Sequence, residues 1–304
     1  MDITSSVTTV SFWDKVGFFL GLCKLKVVSL LLFTAFVGML LSSQDYISLQ
    51  LMLFGLIGIG LAAASGAAIN HVVDFHIDGV MARTRKRPLP QAKITQTEAL
   101  VFALSLALIA MLDLVIFVNT LTAVLTFLAL IGYAVIYTMY LKRSTPMNIV
   151  WGGAAGAAPP LLGWVAMTGE VTLEAFLLFL IIFIWTPPHF WALAIKRKEE
   201  YAKAKIPMLP VTHGIKYTKR QVFYYSIALL FVSLLPFVIS MSGLLYLVGA
   251  TILGSTFVFY AWRLLQTEGD QFAMKTFRFS IVYLSFIFAL LLIDHYIETF
   301  ARVG

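Results

Sequence analysis

The sequence predicts an all-α integral membrane protein with nine transmembrane helices. Of its 304 residues, 60% are hydrophobic and only 12% are charged, whereas a soluble domain averages roughly 25% charged residues. Apolar windows of about 20 residues, each long enough to cross ~30 Å of hydrocarbon, recur at residues 25–43, 49–72, 98–118, 121–141, 147–168, 173–195, 222–241, 244–265 and 276–296. We therefore expect residues 1–304 to form a single polytopic membrane domain.

The basic residues predict how this bundle is oriented. Of the 22 Lys and Arg residues, 21 lie in segments that the nine helices place on one side, and only Arg302 lies opposite. The positive-inside rule makes the first side cytoplasmic, so we expect a cytoplasmic amino terminus and an outside carboxyl terminus. Residues 1–22 lack the features of a signal or transit peptide, which favours a bacterial inner (plasma) membrane. Topology explains the net charge of +7, and no nucleic-acid partner is expected.

Two cytoplasmic loops stand out by their length and content. After a cytoplasmic segment at 1–24, we expect cap loops at 74–97 and 196–221. Each begins with carboxylates at a helix end, continues with basic residues and then carries two prolines, which stiffen the chain. The pair predicts a rigid cap that excludes water from a polar cavity.

Three polar residues at steps of four lead into the first loop: Asn70, Asp74 and Asp78. On a helix, positions i, i+4 and i+8 share one face. Neighbouring carboxylates repel unless a cation neutralises them, and oxygen ligands suit Mg²⁺. Because Arg83 and Arg87 follow, we predict a cradle for a diphosphate, whose charge the metal and the guanidinium groups share. The alternative, a helix end that merely collects charge at the membrane surface, does not explain the regular spacing.

A run rich in small residues, 141–164, lies between the two loops. Small residues permit close helix approach in a bilayer, and they also leave room for a bulky planar or polyprenyl ligand. Three polar residues stand at the cytoplasmic mouth of this run: Lys142, Arg143 and Asn148.

The stretch WTPPHFWALAI, 185–195, follows further along. Pro187 and Pro188 predict a break in the helix inside the membrane, which is tolerated where the freed carbonyls face protein or a polar cavity. His189 is either a ligand or proton carrier, or a hydrogen-bonded structural residue. At the outer side, we interpret Asp294 and His295 as residues of the membrane interface.

With these motifs, the chain resembles the UbiA superfamily of intramembrane prenyltransferases from about Lys24 to the last helix. The NxxxDxxxD spacing indicates the superfamily. Four further strings are similar to the branch that farnesylates haem B: RTRKRPLP (83–90), LKRSTPMNIVWGGAAGAAPPLLGW (141–164), TPPHFWALAI (186–195) and EEYAKAKIPMLPV (199–211). The resemblance implies a UbiA-type nine-helix bundle that transfers a farnesyl group from farnesyl diphosphate to a vinyl group of haem B, with addition of water.

The resemblance also implies residue roles. Mg²⁺ and diphosphate would be held by Asn70, Asp74, Asp78, Glu199 and Glu200, with Tyr201 beside the second acidic pair. The leaving diphosphate or the haem propionates would be stabilised by Arg83, Arg87, Lys142 and Arg143. Haem would be held by His189, Asn148 and Lys205. In addition to the bilayer lipids and the two substrates, the implied partner is a haem A synthase or a terminal oxidase.

Two positions depart from the family pattern. The first motif commonly reads DRDID, where this chain has Asp74-Phe75-His76-Ile77-Asp78, which makes His76 a candidate nitrogen ligand. Glu200 stands where aspartate is usual before Tyr201. The alternative functions are a UbiA-type enzyme acting on an aromatic quinone precursor or a chlorin, a transporter, and a non-catalytic haem-handling protein. Charged residues gathered at one face argue against a transporter, whose polar sites lie near the midplane.

Overall fold

The protein is entirely helical over the part that the structure describes. A computed structural model covers residues 11–42, 47–80 and 84–303, with side chains to residue 299. In chain order the elements are α1 (Phe12–Leu22), α2 (Leu25–Leu41), α3 (Leu49–Val73), α4 (Phe75–Val80), α5 (Gln96–Phe117), α6 (Thr120–Ile131), a π-helix (Gly132–Leu141), α7 (Lys142–Ser144), α8 (Asn148–Thr168), α9 (Leu173–Lys196), α10 (Lys198–Lys203), α11 (Leu209–Thr212), α12 (Gly214–Val238), α13 (Leu244–Gln266) and α14 (Ala273–Val303).

Eight helical segments of the described residues are long and apolar enough to cross a membrane, with α6, the π-helix and α7 counted together as residues 120–144. The pair α1 and α2, bent by 54°, makes a ninth if it is one span. Many large apolar side chains of these helices face outward, as on α5, where Leu104, Leu108 and Ile116 are exposed. A multi-pass membrane protein explains this outward apolar surface, because lipid replaces water around it.

The transmembrane helices pack most closely where small residues meet. A Cβ added to Gly163 of α8 would lie 2.0 Å from the carbonyl oxygen of Ala35 on α2. Reciprocally, a Cβ on Gly38 of α2 would lie 2.1 Å from the carbonyl oxygen of Pro160 on α8. The two backbones therefore touch, which confirms that the small-residue run permits close helix approach.

A second centre of packing is formed by α9, α12, α13 and α14. Large side chains such as Trp185, Tyr246, Phe257 and Tyr283 are buried together there. At one end of this group, Asp294 on α14 is buried and accepts hydrogen bonds from the backbone N–H groups of Gly243 and Tyr246. Its carboxylate satisfies the free donors at the start of α13, and its position at the membrane interface stays a prediction.

The predicted break at Pro187 and Pro188 was wrong, because α9 runs without interruption from Leu173 to Lys196. The two prolines remove the donors for the carbonyls of Phe183 and Ile184. Both prolines are buried inside the bundle, and we infer that this packing keeps the helix continuous.

The two polar loops contain short helices. The described residues of the segment 74–97 comprise α4, turns from residue 84 onward and the start of α5, and Leu89 is buried with Leu22 of α1 and Ala68 of α3. The segment 196–221 comprises α10, α11 and the first turns of α12. In the amino-terminal segment, α1 begins at Phe12, and residues 1–10 lie outside the described part. The loops thus fold onto the bundle as compact units that can hold side chains in fixed positions.

Candidate active site

Asn70, Asp74 and Asp78 lie on one face, as the spacing predicts. The backbone N–H of Asp74 bonds to the carbonyl of Asn70 at 3.0 Å, and that of Asp78 bonds to the carbonyl of Asp74 at 2.8 Å. The i to i+4 pattern therefore continues from α3 into α4, and all three side chains are buried. His76 is exposed, so it is not placed with these oxygen groups as a nitrogen ligand.

The π-helix supplies the facing side of the site. Thr138 Oγ1 lies 3.4 Å from Asn70 Nδ2, and four residues later Lys142 Nζ forms an ion pair with Asp74. Asn70 Nδ2 also donates to Asp74 Oδ2 at 2.8 Å. Thr138 and Lys142, four residues apart, thus contact Asn70 and Asp74, which are also four residues apart. Short π-helical segments are frequent at functional sites, and the apolar periodicity of the sequence gave no signal for this one.

Lys24 is a site residue that sequence reasoning missed. It lies in the break between α1 and α2, in a left-handed conformation with φ of 50°. Its Nζ donates to Asn70 Oδ1 at 2.7 Å. In the sequence, Lys24 is one of several lysines near the predicted cytoplasmic boundary, and the positive-inside rule explains its position without any role in a site.

Arg87 reaches the same face from the loop after α4. Its guanidinium forms an ion pair with Asp78, and the loop turns back because Thr84 Oγ1 donates to the carbonyl of Asp78 at 2.9 Å. Arg83 lies outside the described residues.

Two cationic side chains, Lys142 and Arg87, pair with the two buried carboxylates of Asp74 and Asp78. Burial, and then repulsion by Arg87 and Lys142, lowers the pKa of Lys24 to about 7. An anion that binds beside Lys24 would favour its charged form.

The oxygen donors of this face fit a hard divalent cation. Asp74 Oδ1 is buried and has no hydrogen-bond partner among the described residues, and such a group is costly unless a ligand completes it. Within the described part, no three His, Cys, Asp or Glu side chains are already gathered around a common metal position. An ion at this site would therefore depend on Asn70 and on ligand oxygens in addition to the two aspartates.

The second acidic motif lies on α10 and is more exposed. Glu199 is exposed, and Glu200 Oε2 lies 3.5 Å from Arg197 Nη1. Tyr201 packs in an apolar cluster that contains Ile77 of α4 and Tyr137 of the π-helix. Residues of both polar loops, Ile77 and Tyr201, thus pack against the same apolar cluster. The side chain of Lys205 is exposed and makes no ion pair or hydrogen bond within the described part.

The polar residues at the mouth of α8 have separate contacts. Arg143 Nη2 donates to the carbonyl of Val73 at 3.0 Å and so satisfies the end of α3. Asn148 is buried, its Nδ2 donates to the carbonyl of Thr145 at 2.6 Å, and its Oδ1 lacks a partner among the described residues. The Asn148 amide therefore offers a buried acceptor to a ligand.

His189 is buried on α9 and meets α14. Its Nδ1 lies 2.6 Å from Ser280 Oγ. The preceding turn of α9, at Thr186, lies against α8, because a Cβ on Gly153 would fall 2.8 Å from Thr186 Cγ2. The structure thus joins His189 to α14 and its helix to the small-residue run.

Comparison with protein families matches residues 31–289 to the UbiA prenyltransferase family. A protein named protoheme IX farnesyltransferase from Thioalkalivibrio sulfidiphilus is 61% identical over 98% of this chain and 97% of its own length. Proteins of the same name from Legionella pneumophila and Methylococcus capsulatus are 57% and 56% identical over 91% and 92% of this chain, and over 95% and 94% of their own lengths.

Solved structures share the fold at low sequence identity. A digeranylgeranylglyceryl phosphate synthase superimposes with a TM-score of 0.80, at 21% identity, over 93% of this chain and 99% of that chain. A UbiA homologue from Archaeoglobus fulgidus, bound to GPP and Mg²⁺, superimposes with a TM-score of 0.63, at 16% identity, over 90% and 99% of the two chains.

Proposed function

We propose that this chain, which belongs to the UbiA prenyltransferase family, transfers the farnesyl group of farnesyl diphosphate to a vinyl group of haem B. Water adds in the same overall reaction, and the products are haem O and diphosphate. The names of relatives that match nearly the whole chain support this substrate pair over an aromatic quinone precursor or a chlorin.

The observation that carries the site assignment is the buried cluster of Lys24, Asn70, Asp74, Asp78 and Lys142. Its carboxylates suit a divalent cation, and its ammonium groups suit a polyanion. A diphosphate with its metal ion carries both kinds of partner, so one ligand can satisfy both halves of the cluster. No other described part of the chain combines buried carboxylates with facing cations in this way.

Mg²⁺ would be held by Asn70, Asp74 and Asp78, and we propose Glu199 and Glu200 as further ligands from the second loop. When bound, the ion supplies Lewis-acid stabilisation of charge on phosphoryl oxygens. Magnesium in the structure of a distant homologue supports a divalent ion for the family.

Breaking the bond between the allylic carbon and the diphosphate oxygen leaves negative charge on the diphosphate and positive charge on the farnesyl carbon. We assign stabilisation of the diphosphate to Lys142, Arg87 and Lys24, whose side-chain nitrogens contact Asp74, Asp78 and Asn70 respectively. Arg83 and Arg143 are proposed to extend this positive surface toward the diphosphate or the haem propionates.

The farnesyl carbon must be kept from water until it meets the vinyl group. Ile77 and Tyr201, one from each polar loop, pack against one apolar cluster, and we propose that the two loops shield the pocket. The stacked rings of Tyr133 and Tyr137 on the π-helix lie beside α3 and α8. Aromatic faces stabilise nearby positive charge, and a dry pocket prevents early capture by water.

For haem, we propose that His189 and Asn148 hold the porphyrin between α8, α9 and α14, with Lys205 at the rim. The cell location that we propose is the bacterial inner (plasma) membrane, with the site on the cytoplasmic side, the amino terminus inside and the carboxyl terminus outside. A haem A synthase or a terminal oxidase is the proposed recipient of the product.

The test is product analysis by chromatography and mass spectrometry with haem B, farnesyl diphosphate and Mg²⁺. Membranes would contain the native chain, an Asp74→Asn/Asp78→Asn variant, or the matched control Asp270→Asn, whose carboxylate is half-exposed and pairs with Lys196. We expect farnesylated haem from the native chain and the control, and at least a hundredfold less from the double variant.

Three other results would count against the proposal. Prenylation of an added aromatic acid without any haem product would assign the chain to the alternative substrates. Equal product from the double variant would remove the aspartates from the site. A folded protein that binds haem but gives no product would indicate haem handling without catalysis.

A further inference from the structure

The ring of His189 is held on both faces by aromatic side chains. It stacks on Trp185 with centroids 4.2 Å apart and planes at 20°, and on Phe277 of α14 at 4.6 Å and 29°. Trp185 is itself anchored, because its Nε1 donates to the carbonyl of Ser280 at 2.7 Å. The imidazole therefore cannot rotate freely, and the direction of each ring nitrogen is fixed.

The contact between His189 Nδ1 and Ser280 Oγ also defines where the imidazole proton resides. The Ser280 hydroxyl has one hydrogen, and its oxygen lies 2.6 Å from the carbonyl oxygen of Phe277. Two oxygens at that distance repel unless a proton lies between them, so the hydroxyl hydrogen points to Phe277. Ser280 Oγ then acts as the acceptor toward the ring, and the proton of neutral His189 is on Nδ1.

Nε2 is left with a lone pair. Among the described residues, no group makes a hydrogen bond to this nitrogen. A histidine whose Nδ1–H is bound to an oxygen, with a free Nε2, is the arrangement by which proteins present imidazole to a metal ion.

The ring also lies at a depth that a membrane-embedded porphyrin can reach. His189 is seven residues before the end of α9 at Lys196, and Ser280 is seven residues after the start of α14 at Ala273. Both positions are about 10 Å below the cytoplasmic ends of their helices, where Lys196 and Asp270 form an ion pair at 3.0 Å.

We propose that Ser280 is a positioning residue that holds His189 with its proton on Nδ1, so that Nε2 binds the iron of the porphyrin substrate. This inference rests on the proposed function for the identity of the ligand. The hydrogen bond to Ser280 keeps the ring in the correct tautomer and makes Nε2 a stronger donor, an effect that is typically worth 10- to 100-fold in metal affinity.

The tautomer can be tested without any haem. ¹⁵N NMR spectra of histidine-labelled protein in detergent would be recorded for the native chain and for Ser280→Ala, with the His189 signals identified by their loss in His189→Gln. The matched control is Ser226→Ala, which removes a buried serine hydroxyl whose only partner among the described residues is the carbonyl of Val222 on the same helix, at 2.7 Å.

We expect Nδ1 to be the protonated nitrogen of neutral His189 in the native chain and in Ser226→Ala, and a mixture of tautomers in Ser280→Ala. Because Trp185 binds the backbone of Ser280, the substitution leaves that anchor in place and the fold should persist. A proton on Nε2 in the native chain would overturn the inference.

The iron contact has a spectroscopic test of its own. Ferric haem B would be titrated into the same variants and into Ser280→Thr, which retains a hydroxyl, and the Soret band and electron paramagnetic resonance spectrum would be followed. We expect a histidine-ligated spectrum in the native chain and in Ser280→Thr, binding 10- to 100-fold weaker in Ser280→Ala, and an unchanged KM for farnesyl diphosphate.

The outcomes separate this inference from the proposed function. A native chain that makes farnesylated haem, but whose haem spectrum is the same in Ser280→Ala and His189→Gln, would sink the inference and leave the function standing. A native chain that shows the histidine-ligated spectrum without any farnesylated product would support the role of Ser280 and contradict the function.

Discussion

Replacing Gly163 by alanine should separate the two helices that form the tightest crossing of the bundle. The new Cβ would lie 2.0 Å from the carbonyl oxygen of Ala35 and 2.8 Å from its carbon. These are backbone atoms of α2, so no side-chain rotation can relieve the overlap. Ordinary van der Waals contact of a Cβ begins at 3.4 Å. The helices α2 and α8 must therefore move apart by about 1.4 Å, the difference between 3.4 Å and the 2.0 Å of the overlap.

The free energy lost follows from this displacement. A radial gap of 0.5–1 Å already removes a quarter to a half of the dispersion energy between two atoms. In a bilayer, dispersion is a main source of helix association, because lipid removes the hydrophobic driving force between helices. We expect Gly163→Ala to lower the free energy of unfolding by about 3 kcal/mol, the upper part of the range for overpacked cores.

The matched control is Gly156→Ala on the same helix, where nothing lies within 4 Å of the added Cβ. That substitution should raise stability by about 0.5–1 kcal/mol, because alanine is the better helix former. Unfolding in mixed micelles with increasing denaturing detergent, followed by circular dichroism and by retained activity, gives both values. If Gly163→Ala proved as stable as Gly156→Ala, the close backbone contact would be refuted.

Three further predictions concern the site and the start of α13. Arg87→Gln leaves the buried carboxylate of Asp78 without its cation and should lower the free energy of unfolding by about 3 kcal/mol. Adding Asp78→Asn should restore stability but not product formation. Recovery of both would contradict the proposed role. Lys24→Met removes the side chain that donates to Asn70 and should raise the KM for farnesyl diphosphate about tenfold in steady-state kinetics. Lys26→Met changes an exposed side chain and should leave this KM unchanged. Equal effects of the two substitutions would remove Lys24 from the site. Asp294→Ala leaves two backbone N–H groups at the start of α13 without their acceptor and should lower the free energy of unfolding by about 1–3 kcal/mol. Turnover per folded molecule should not change. A loss of turnover would argue for a role beyond structure.

Features with a local physical cause were predictable from the sequence. Eight of the nine predicted apolar windows coincide with helical segments long enough to cross a membrane, because the thickness of the bilayer imposes a minimum length on every span. The window 25–43 falls on α2, which is long enough only together with α1. The shared face of Asn70, Asp74 and Asp78 follows from the helical period alone, and the structure confirms it across the boundary between α3 and α4.

Interactions between distant segments were not predictable in this way. Lys24 and Asn70 are 46 positions apart, Lys142 and Asp74 are 68 apart, and His189 and Ser280 are 91 apart. Nothing in the local pattern around Lys24 separates it from the other basic residues near the membrane boundary. Its role depends on the bend between α1 and α2, which directs it toward α3.

Local rules also failed where packing opposed them. Two consecutive prolines weaken a helix, yet α9 continues through Pro187 and Pro188, both of which are buried inside the bundle.

The sequence by itself thus determined the number of apolar segments, the acidic face and the family resemblance, since hydropathy and helical periodicity act between near neighbours in the chain. Only the tertiary structure decided which cation meets which carboxylate and which nitrogen of His189 is free. Those pairings arise when helices far apart in sequence pack together, and the directions of hydrogen bonds are set by that packing.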